Sequence, residues 1–395
     1  MQTIRLTISD ETLRDGEQQA GLFFEQATKR SLFHAISSAG VHQIAIMPAI
    51  HETEEDLVKT LIGEGLGDRV VASTMMSRHC IDRAKACGVK QIILFHAVSD
   101  RLLFLRDAKI RHHCDYKNKT FDDGLPATVI DKVRQNAIER VLKHLRYATE
   151  IGLQVYFAAE DASRADFGFL VECICAFKPY IEHFLLCDTV GVLTPEKTYV
   201  WIHDLLEYSS VPLAVHFHND LGLALENTIQ AVLAGVRCVS GTFGGIGERA
   251  GNVPLEQVLN GLRLRFGWEV EGIDYDAIAR VTEYLDRLGI RPHAPYSQQA
   301  QRHETGIHVK SLLEDRQSYC IFPYGKPEIW FGKCSGAGNF QYLFEQYLNQ
   351  PLPKEQYERL RATIKKLSVQ EKRSFSTEEV LELIEKGILN ILGNS

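Results

Sequence analysis

The sequence predicts an α/β protein: a (β/α)8 TIM barrel followed by an irregular connector and a small helical C-terminal region. Two observations indicate the barrel. Short β-rich runs recur eight times along the chain, and segments with apolar residues at spacings of three and four separate them. Eight such units that close on themselves form a barrel. The alternative is an open doubly wound sheet, which normally has a glycine-rich phosphate loop after its first strand; no such loop follows the first run.

The predicted strands share β-branched and aromatic residues in runs of four to seven positions. They are Thr3–Ser9, Gln43–Met47, Val70–Thr74, Gln91–Phe95, Gln154–Phe157, His183–Cys187, Leu213–Phe217 and Arg237–Gly241. The clearest amphipathic helices between them are Glu25–Ser38, Val133–Ile151, Phe167–Phe177, Pro195–Tyr208 and Leu223–Ala234.

The predicted organisation has three parts. Residues 1–275 form the barrel, residues 276–338 a connector, and residues 339–395 a helical subdomain. The helices predicted for that subdomain are Phe340–Tyr347, Lys354–Leu367 and Thr377–Leu389. The polar stretch Arg106–Leu125 interrupts the repeat after the fourth strand, and we expect it to be an extended loop, either a lid or an insertion.

The composition excludes several classes of partner. Lys and Arg total 44 against 51 for Asp and Glu, a net charge of −7, so nucleic acid is not expected to bind. No apolar run reaches 18 residues, so no membrane contact is expected. The nine cysteines are scattered and the N-terminus has no apolar signal region, so we expect the protein in the cytoplasm.

The end of the seventh strand carries two histidines in a His-x-His pattern. Because side chains alternate along a strand, His216 and His218 lie on one face, at the spacing that two imidazole ligands of one metal need. The alternative is a pair of hydrogen-bonded histidines beside a loop.

The end of the first strand carries the segment Asp10–Gln18, which contains Arg14 and Asp15. A carboxylate there can supply an oxygen ligand to the same metal, since all strand ends of a barrel face one mouth. The adjacent arginine offers a positive fork to an anionic or enolate oxygen. A surface ion pair between the two side chains is the alternative.

Other strand ends are also polar. Glu160 ends the fifth strand, Thr189 follows the sixth, and Asn252 closes a glycine-dense segment after the eighth. Glycines at that point allow the backbone to pass close to another group, either a ligand or the closing barrel itself.

Six motifs, in this order, resemble one family. They are DETLRDGEQ, EDASR, CDTVGVLTP, HFHNDLGLALENT, GGIGERAGN and HETGIHV. This series resembles the metal-dependent acetyl-CoA condensing enzymes that include homocitrate synthase, 2-isopropylmalate synthase and citramalate synthase. The resemblance implies an acyltransferase of amino-acid biosynthesis that condenses acetyl-CoA, its co-substrate, with a 2-oxo acid and releases CoA.

The resemblance also implies a metal site. Asp15, His216 and His218 stand where the family holds a divalent ion (Mg, Mn or Zn), and Asn252 matches a weaker ligand that acts through water. An ion in that position polarises the ketone of the oxo acid.

The remaining roles follow from the same matching. Arg14 and Glu160 stand at catalytic positions, and Thr189 stands at one that contacts the carboxylate of the oxo acid. His308, in the connector, matches the family's catalytic histidine and is the expected base. In relatives this segment reaches the site of a neighbouring subunit, so we expect a homodimer.

Departures from the family motifs bear on the substrate. Ala45 and Ala158 replace polar residues near the mouth, and Cys334 replaces a histidine. The two alanines enlarge the pocket, which favours a bulky apolar or aromatic 2-oxo acid and a 2-isopropylmalate or benzylmalate type of product. Homocitrate synthase, acting on 2-oxoglutarate, is the chief alternative and would need a cation for the distal carboxylate, from Arg101 or the Arg106–Leu125 segment.

Two other classes of function remain open. A lyase that cleaves an acyl-CoA or a 4-hydroxy-2-oxo acid can use the same barrel and metal ligands. The HETGIHV segment and the helical tail favour a synthase. A barrel that only binds metal or oxo acid has no need of both a metal and a base.

Overall fold

The computed structural model describes residues 1–111, 119, 121–322 and 325–389. Eight parallel strands, β2 to β9 in sequence order, form a closed barrel, which confirms the predicted fold class. The two-stranded sheets β1–β10 and β11–β12 lie outside the barrel.

The strands are short and regularly spaced along the chain. They are β1 Gln2–Ile4, β2 Thr7–Asp10, β3 Gln43–Ile46, β4 Val70–Met75, β5 Gln91–Ala97, β6 Gln154–Glu160, β7 Phe184–Asp188, β8 Leu213–Phe217, β9 Cys238–Gly241, β10 Trp268–Val270, β11 Arg302–His303 and β12 Glu328–Ile329.

Helices connect the strands and continue after the barrel. They are α1 Gln26–Ser38, α2 Glu52–Gly63, α3 Arg78–Ala86, α4 Asp100–Arg106, α5 Ala108–Arg111, α6 Ala127–Glu150, α7 Phe167–Phe177, α8 Pro195–Tyr208, α9 Ala224–Ala234, α10 Leu255–Phe266, α11 Tyr275–Arg287, α12 Gly306–Glu314, α13 Ala337–Gln341, α14 Lys354–Glu371 and α15 Thr377–Glu385. None of the helices in the described part of the chain combines the length and apolar character needed to cross a bilayer.

Alternation along each strand separates two cores. Ile44 and Ile46 of β3 join the main core between the strands and the helices. Ile93 and Ala158 belong instead to a small cluster inside the barrel, together with residues of four other strands. The barrel is therefore filled with side chains below its mouth, as is usual for this fold.

The first predicted strand is wrong in one respect. Thr3–Ser9 is two strands, because β1 pairs with β10 outside the barrel and only β2 enters it. The predicted boundary at residue 275 is also too early, since Ile278 and Val281 of α11 are buried in the barrel's main core.

The connector is more ordered than the sequence indicates. His308 lies on the helix α12 rather than in irregular chain. Val309 of that helix packs in the core of the C-terminal subdomain, and Leu312 packs in the core of the barrel. The helix is thus held between two hydrophobic cores.

The helices predicted after the connector are present, but their first or last residues differ from the prediction. The helix predicted over Phe340–Tyr347 begins earlier, as α13, and continues as a π-helical turn over Tyr342–Tyr347. Helix α14 runs to Glu371, and the helix predicted to end at Leu389 ends at Glu385 as α15.

The Arg106–Leu125 segment is not one continuous loop. It begins at the last residue of α4 and contains α5 and a 3-10 turn at Phe121–Asp123. Residues 112–118 and 120 of this predicted lid or insertion lie outside the described residues.

Four buried charges join the connector to the barrel. The Lys333 ammonium group lies 2.7 Å from Glu17 and 2.9 Å from Glu54. The Lys29 ammonium group lies 2.5 Å from Glu17 and 2.6 Å from Glu54. Each side chain is at least 94% buried, since the most exposed of them, that of Glu17, is 6% exposed. Each lysine contacts both carboxylates, so the loss of any one group leaves one buried charge of the remaining three uncompensated.

We expect the Lys333→Met variant to lower the free energy of unfolding by about 3 to 5 kcal/mol, as for a buried ion pair that loses one member. Urea unfolding followed by circular dichroism measures this. The matched control is Lys90→Met, which removes an exposed ion pair with Asp68 and should leave the urea midpoint nearly unchanged. Equal midpoints for Lys333→Met and the wild type would show that the four charges do not hold the connector.

Candidate active site

A cavity of about 850 Å³ opens at the mouth of the barrel. Its wall includes side chains from the carboxyl ends of the strands and from α12, the Cys334–Gly336 segment and α14. The connector and the C-terminal subdomain therefore cover the mouth of the same chain's barrel.

Three buried side chains converge on one point of this cavity. Asp15 Oδ2 lies 3.6 Å from His216 Nε2 and 3.9 Å from His218 Nε2. One ligand atom from each residue lies within 4.8 Å of the others. His216 is held through Nδ1, 3.1 Å from the Ser240 hydroxyl, so its Nε2 faces the carboxylate. Two imidazoles and one carboxylate at these separations are a suitable donor set for a divalent metal with open positions.

Asn252 borders this set. Its Nδ2 donates hydrogen bonds to Asp15 Oδ1 at 2.8 Å and to the Ile246 carbonyl at 3.1 Å. Its buried Oδ1 has no hydrogen-bond partner among the described residues. Gly247, with φ of +148°, passes so close that an added Cβ would lie 2.2 Å from Asn252 Nδ2. The Gly247 backbone thus packs directly onto the Asn252 side-chain amide. The Asn252 Oδ1 atom, which has no hydrogen-bond donor in the described part of the chain, is able to bind a metal ion or a water molecule.

The charge states also fit metal binding. Burial raises the pKa of Asp15, but His218, His216 and Arg14 outweigh this effect and hold the pKa well below its usual value. Burial and the nearby charge of Arg249 lower the pKa of His218 well below its usual value. The carboxylate is therefore ionised and the His218 imidazole is neutral at neutral pH, as metal ligation requires.

Arg14 lies beside the triad and lines the cavity. Its Nε donates to Glu11 Oε2 at 2.6 Å and its Nη1 donates to Asp15 Oδ2 at 3.2 Å. Two carboxylates thus orient the guanidinium group, which is able to stabilise negative charge that develops in the cavity.

Glu160 ends β6 on the cavity wall. It accepts two hydrogen bonds from Arg106, one at 2.8 Å from Nη2 and one from Nη1, and a third from the Tyr319 hydroxyl. Burial raises the pKa of Glu160, but the Arg106 guanidinium outweighs burial, and the pKa falls to about 2. Glu160 is therefore a fixed anion at any pH near neutrality.

His308 faces this anion. Its Nε2 lies 4.0 Å from Glu160 Oε1, and its Nδ1 lies 2.8 Å from Glu248 Oε2. The imidazole stacks on the Tyr319 ring, with the ring centres 3.8 Å apart. All of these contacts are within one chain. That His308 acts across a subunit interface stays a prediction from the sequence.

Two of the three predicted substrate residues line the cavity, and the third does not. Thr189 lines the cavity, and its hydroxyl accepts a hydrogen bond of 2.8 Å from the Asp161 amide. Ala158 also lines the cavity. Ala45 is fully buried and is not in the cavity wall, which Met47 forms at the end of the same strand. The added pocket volume therefore stays a prediction for Ala158, and the placement of Ala45 at the cavity is wrong.

Two of the cations proposed for a distal carboxylate are bound to carboxylates of the chain. Arg101 forms ion pairs with Asp315 and Asp122. Arg106, the first residue of the interrupting segment, binds Glu160.

Sequence reasoning missed three site residues. Arg106 and Tyr319 bind Glu160 from positions 54 and 159 residues away in the chain, so no local spacing reveals them. Glu248 lies within the GGIGERAGN motif, and its place in that motif is the one signal that identifies it.

The comparisons with known proteins agree with this geometry. The HMGL-like family matches residues 5–125 and 123–285. The chain is 32% identical to a homocitrate synthase AksA of Methanosarcina acetivorans over 391 residues, covering 96% of this chain and 90% of that protein. It is 30% identical to 2-isopropylmalate synthase 2 of Caldanaerobacter subterraneus subsp. tengcongensis over 392 residues, covering 97% of this chain and 96% of that protein.

Among solved structures, a hydroxymethylglutaryl-CoA lyase from Pseudomonas aeruginosa superposes with a TM-score of 0.57 at 21% identity, covering 75% of this chain and 96% of that one. At this identity the likeness concerns the fold. The family match extends over most of the chain and the similarity to synthases over nearly all of it. The chain belongs to the HMGL-like family.

Proposed function

We propose that this chain is an acyltransferase that condenses acetyl-CoA with a 2-oxo acid and releases CoA. The observation that carries the proposal is the placement of His308 and Glu160 in the same cavity as the triad of Asp15, His216 and His218. A site that only binds metal has no need of a base. The full-length relatives named above are synthases, which favours condensation over cleavage.

Asp15, His216 and His218 would hold a divalent ion (Mg, Mn or Zn), with Asn252 as a weaker ligand. Such an ion would polarise the ketone of the oxo acid and make its carbon electrophilic. Arg14, fixed by two carboxylates, would share the negative charge that develops on the ketone oxygen. Thr189, on the cavity wall, would contact the carboxylate of the oxo acid.

His308 is the proposed base. Glu248 Oε2 lies 2.8 Å from Nδ1, and its negative charge would favour the tautomer with the ring proton on Nδ1. In that tautomer Nε2 keeps the lone pair that can remove a proton from the acetyl methyl group. As the ring becomes charged, the anionic Glu160 at 4.0 Å stabilises it. The stacked Tyr319 fixes the plane of the ring. Glu160 acts through His308 and does not itself accept the proton, because its pKa is about 2.

We propose a bulky apolar or aromatic 2-oxo acid as the substrate. Apolar side chains line part of the strand side of the cavity: Met47, Met75, Ile93, Phe95 and Ala158. Arg101 and Arg106 are both bound to carboxylates of the chain. Next to these strand ends, a second buried carboxylate on the substrate would compete with those carboxylates or remain unpaired, at a cost of several kcal/mol. The lysines of α14 on the cavity wall come from the C-terminal subdomain and not from the strand ends.

Homocitrate synthase remains the second candidate. The relatives of the chain include a homocitrate synthase of equal coverage. Arg83 lines the cavity while bound to Glu55, and it is the cation to test if 2-oxoglutarate proves the best substrate.

Within one chain, His308 contacts Glu160 and Glu248. The expected homodimer, in which His308 acts across an interface, is not tested by these contacts. The homodimer and the cytoplasmic location therefore stay predictions from the sequence.

His216→Ala should abolish release of free thiol from acetyl-CoA and remove the bound metal, because two ligands do not hold the ion. Mass spectrometry after dialysis measures the metal content, and circular dichroism shows whether the fold is intact. The control is His203→Ala, which alters an exposed histidine of α8 that does not line the cavity. Full activity of chelator-treated, metal-free protein would contradict the proposal.

His308→Gln should lower kcat by about 10²- to 10⁴-fold, the usual contribution of a general base. Thiol release at saturating substrate measures this, and His144→Gln on α6 is the control because its ring is bound only to the Arg140 carbonyl of its own helix. A kcat within twofold of the wild type would remove His308 from the reaction.

Ala158→Leu should lower kcat/KM for the largest oxo acids by about 10-fold or more and for pyruvate least, because pocket volume is worth about 1 to 3 kcal/mol per methylene. A panel of pyruvate, 2-oxoisovalerate, 2-oxoisocaproate, phenylpyruvate and 2-oxoglutarate provides the comparison. In the wild type, the bulky apolar acids should give the highest kcat/KM. If 2-oxoglutarate is best, the substrate proposal is wrong and homocitrate synthesis replaces it.

A further inference from the structure

One wall of the cavity is basic and comes from the C-terminal subdomain. Arg361, Lys365 and Lys366 of α14 line the cavity together with Ala362. Residues four apart in a helix share a face, so the pairs 361–365 and 362–366 form one strip along α14. The opposite face is apolar, and its Leu360 and Ile364 are buried in the C-terminal core.

The two lysines of this strip lack counter-ions among the described residues. Neither Lys365 nor Lys366 forms a hydrogen bond or ion pair that involves another described residue, whereas Arg361 lies 2.9 Å from Glu358 of its own helix. Lys365 is half-buried. Burial, and then the adjacent Arg361, lower its pKa, although Cys334 and Glu304 act in the opposite direction. A half-buried ammonium group without a partner favours an anion.

The cavity has two chemically different ends. The triad is buried and Glu160 is half-buried at the barrel end, whereas Lys366 is exposed at the α14 end. The wall also includes Ile307, Ser335 and Gly336, which carry no charge. A ligand that extends along this cavity meets the reactive groups at one end and uncompensated positive charge at the other.

We propose that the basic strip of α14 (Arg361, Lys365 and Lys366) binds the phosphate groups of the acyl-CoA co-substrate. This inference rests on the proposed function. Acyl-CoA has the required form, because its thioester and its phosphates lie at opposite ends of an uncharged pantetheine arm. With the thioester beside His308, the arm follows the uncharged wall and the diphosphate and ribose 3′-phosphate reach α14. The C-terminal subdomain thus selects the co-substrate, while the barrel selects the oxo acid.

The oxo acid is a poor occupant for the strip. Its carboxylate and ketone must lie beside the buried triad to react, and the strip includes an exposed residue at the other end of the cavity. A bulky apolar side chain gains nothing from three cations. The phosphates, in contrast, keep part of their hydration at a half-exposed site and still gain charge-assisted hydrogen bonds.

The test compares acetyl-CoA with acetyl-pantetheine, which has the same thioester and no phosphate. In Lys365→Ala and in the double variant Lys365→Ala/Lys366→Ala, KM for acetyl-CoA should rise at least about 10-fold, as expected for the loss of a hydrogen bond to a charged group. The preference for acetyl-CoA over acetyl-pantetheine should fall by the same factor, and KM for the oxo acid should stay within twofold. Arg359→Ala, which alters an exposed residue of the same helix outside the cavity wall, is the matched control.

Three results would overturn the inference: an unchanged KM for acetyl-CoA, an equal rise in KM for both thioesters, or a rise in KM for the oxo acid alone. Thermal unfolding of each variant shows whether α14 still packs, and Lys365→Arg, which keeps the charge, should restore most of the affinity.

Calorimetric titration with CoA separates this inference from the proposed function, because it needs no turnover. If no oxo acid supports thiol release but the wild type binds CoA and Lys365→Ala binds it at least about 10-fold more weakly, the strip is a CoA site and the proposed reaction is wrong. If thiol release occurs and the CoA affinity of Lys365→Ala equals that of the wild type, the reaction stands and the strip has no such role.

Discussion

The buried square of Lys29, Lys333, Glu17 and Glu54 is the interaction on which the site depends. It joins the connector to α1, α2 and the loop after β2, and each ammonium group contacts both carboxylates. Hydrophobic packing alone tolerates small shifts of one surface over another, whereas a buried charge must keep its partner. The square therefore fixes where the connector lies over the barrel mouth, and with it the position of α12.

Most cations at the mouth are held by carboxylates of the chain. Arg14 is held by Glu11, Arg106 by Glu160, and Arg249 by Asp220, whose Oδ1 lies 2.8 Å from the guanidinium Nε. The side chains of such pairs need to reorganise little when charge develops nearby, because they are already oriented. Since these side chains are engaged, the lysines of α14 are the cations of the cavity wall that remain for a large anionic ligand.

The sequence predicts what depends on local periodicity. Alternation along β8 was enough to bring His216 and His218 together, and the parallel barrel brought Asp15 to them from a strand end more than 200 residues earlier. Helix α12 was missed because its nine residues are too few for a clear amphipathic pattern. The contact of Tyr319 with Glu160 spans 159 positions and depends on how the connector folds, which no local pattern encodes. The prediction that Ala45 lines the pocket is wrong for a geometric reason. Ala45 lies one inward-facing position below Met47, the residue that follows β3, and Met47 is the residue that reaches the cavity.

The division of the cavity between barrel and subdomain explains how one scaffold accommodates different oxo acids. The groups proposed to act on the thioester and the ketone come from strand ends and from α12, and carboxylates of the chain contact their histidines. Ala158 lies two residues before Glu160 on the inward face of β6, so a change of its side chain alters volume without removing a charged partner. A charged substituent on the oxo acid is different, because beside the strand ends its recognition would need a cation released from a carboxylate or added to the wall. Apolar substrates can therefore be exchanged by single substitutions, whereas a dicarboxylate requires a coupled change of charge.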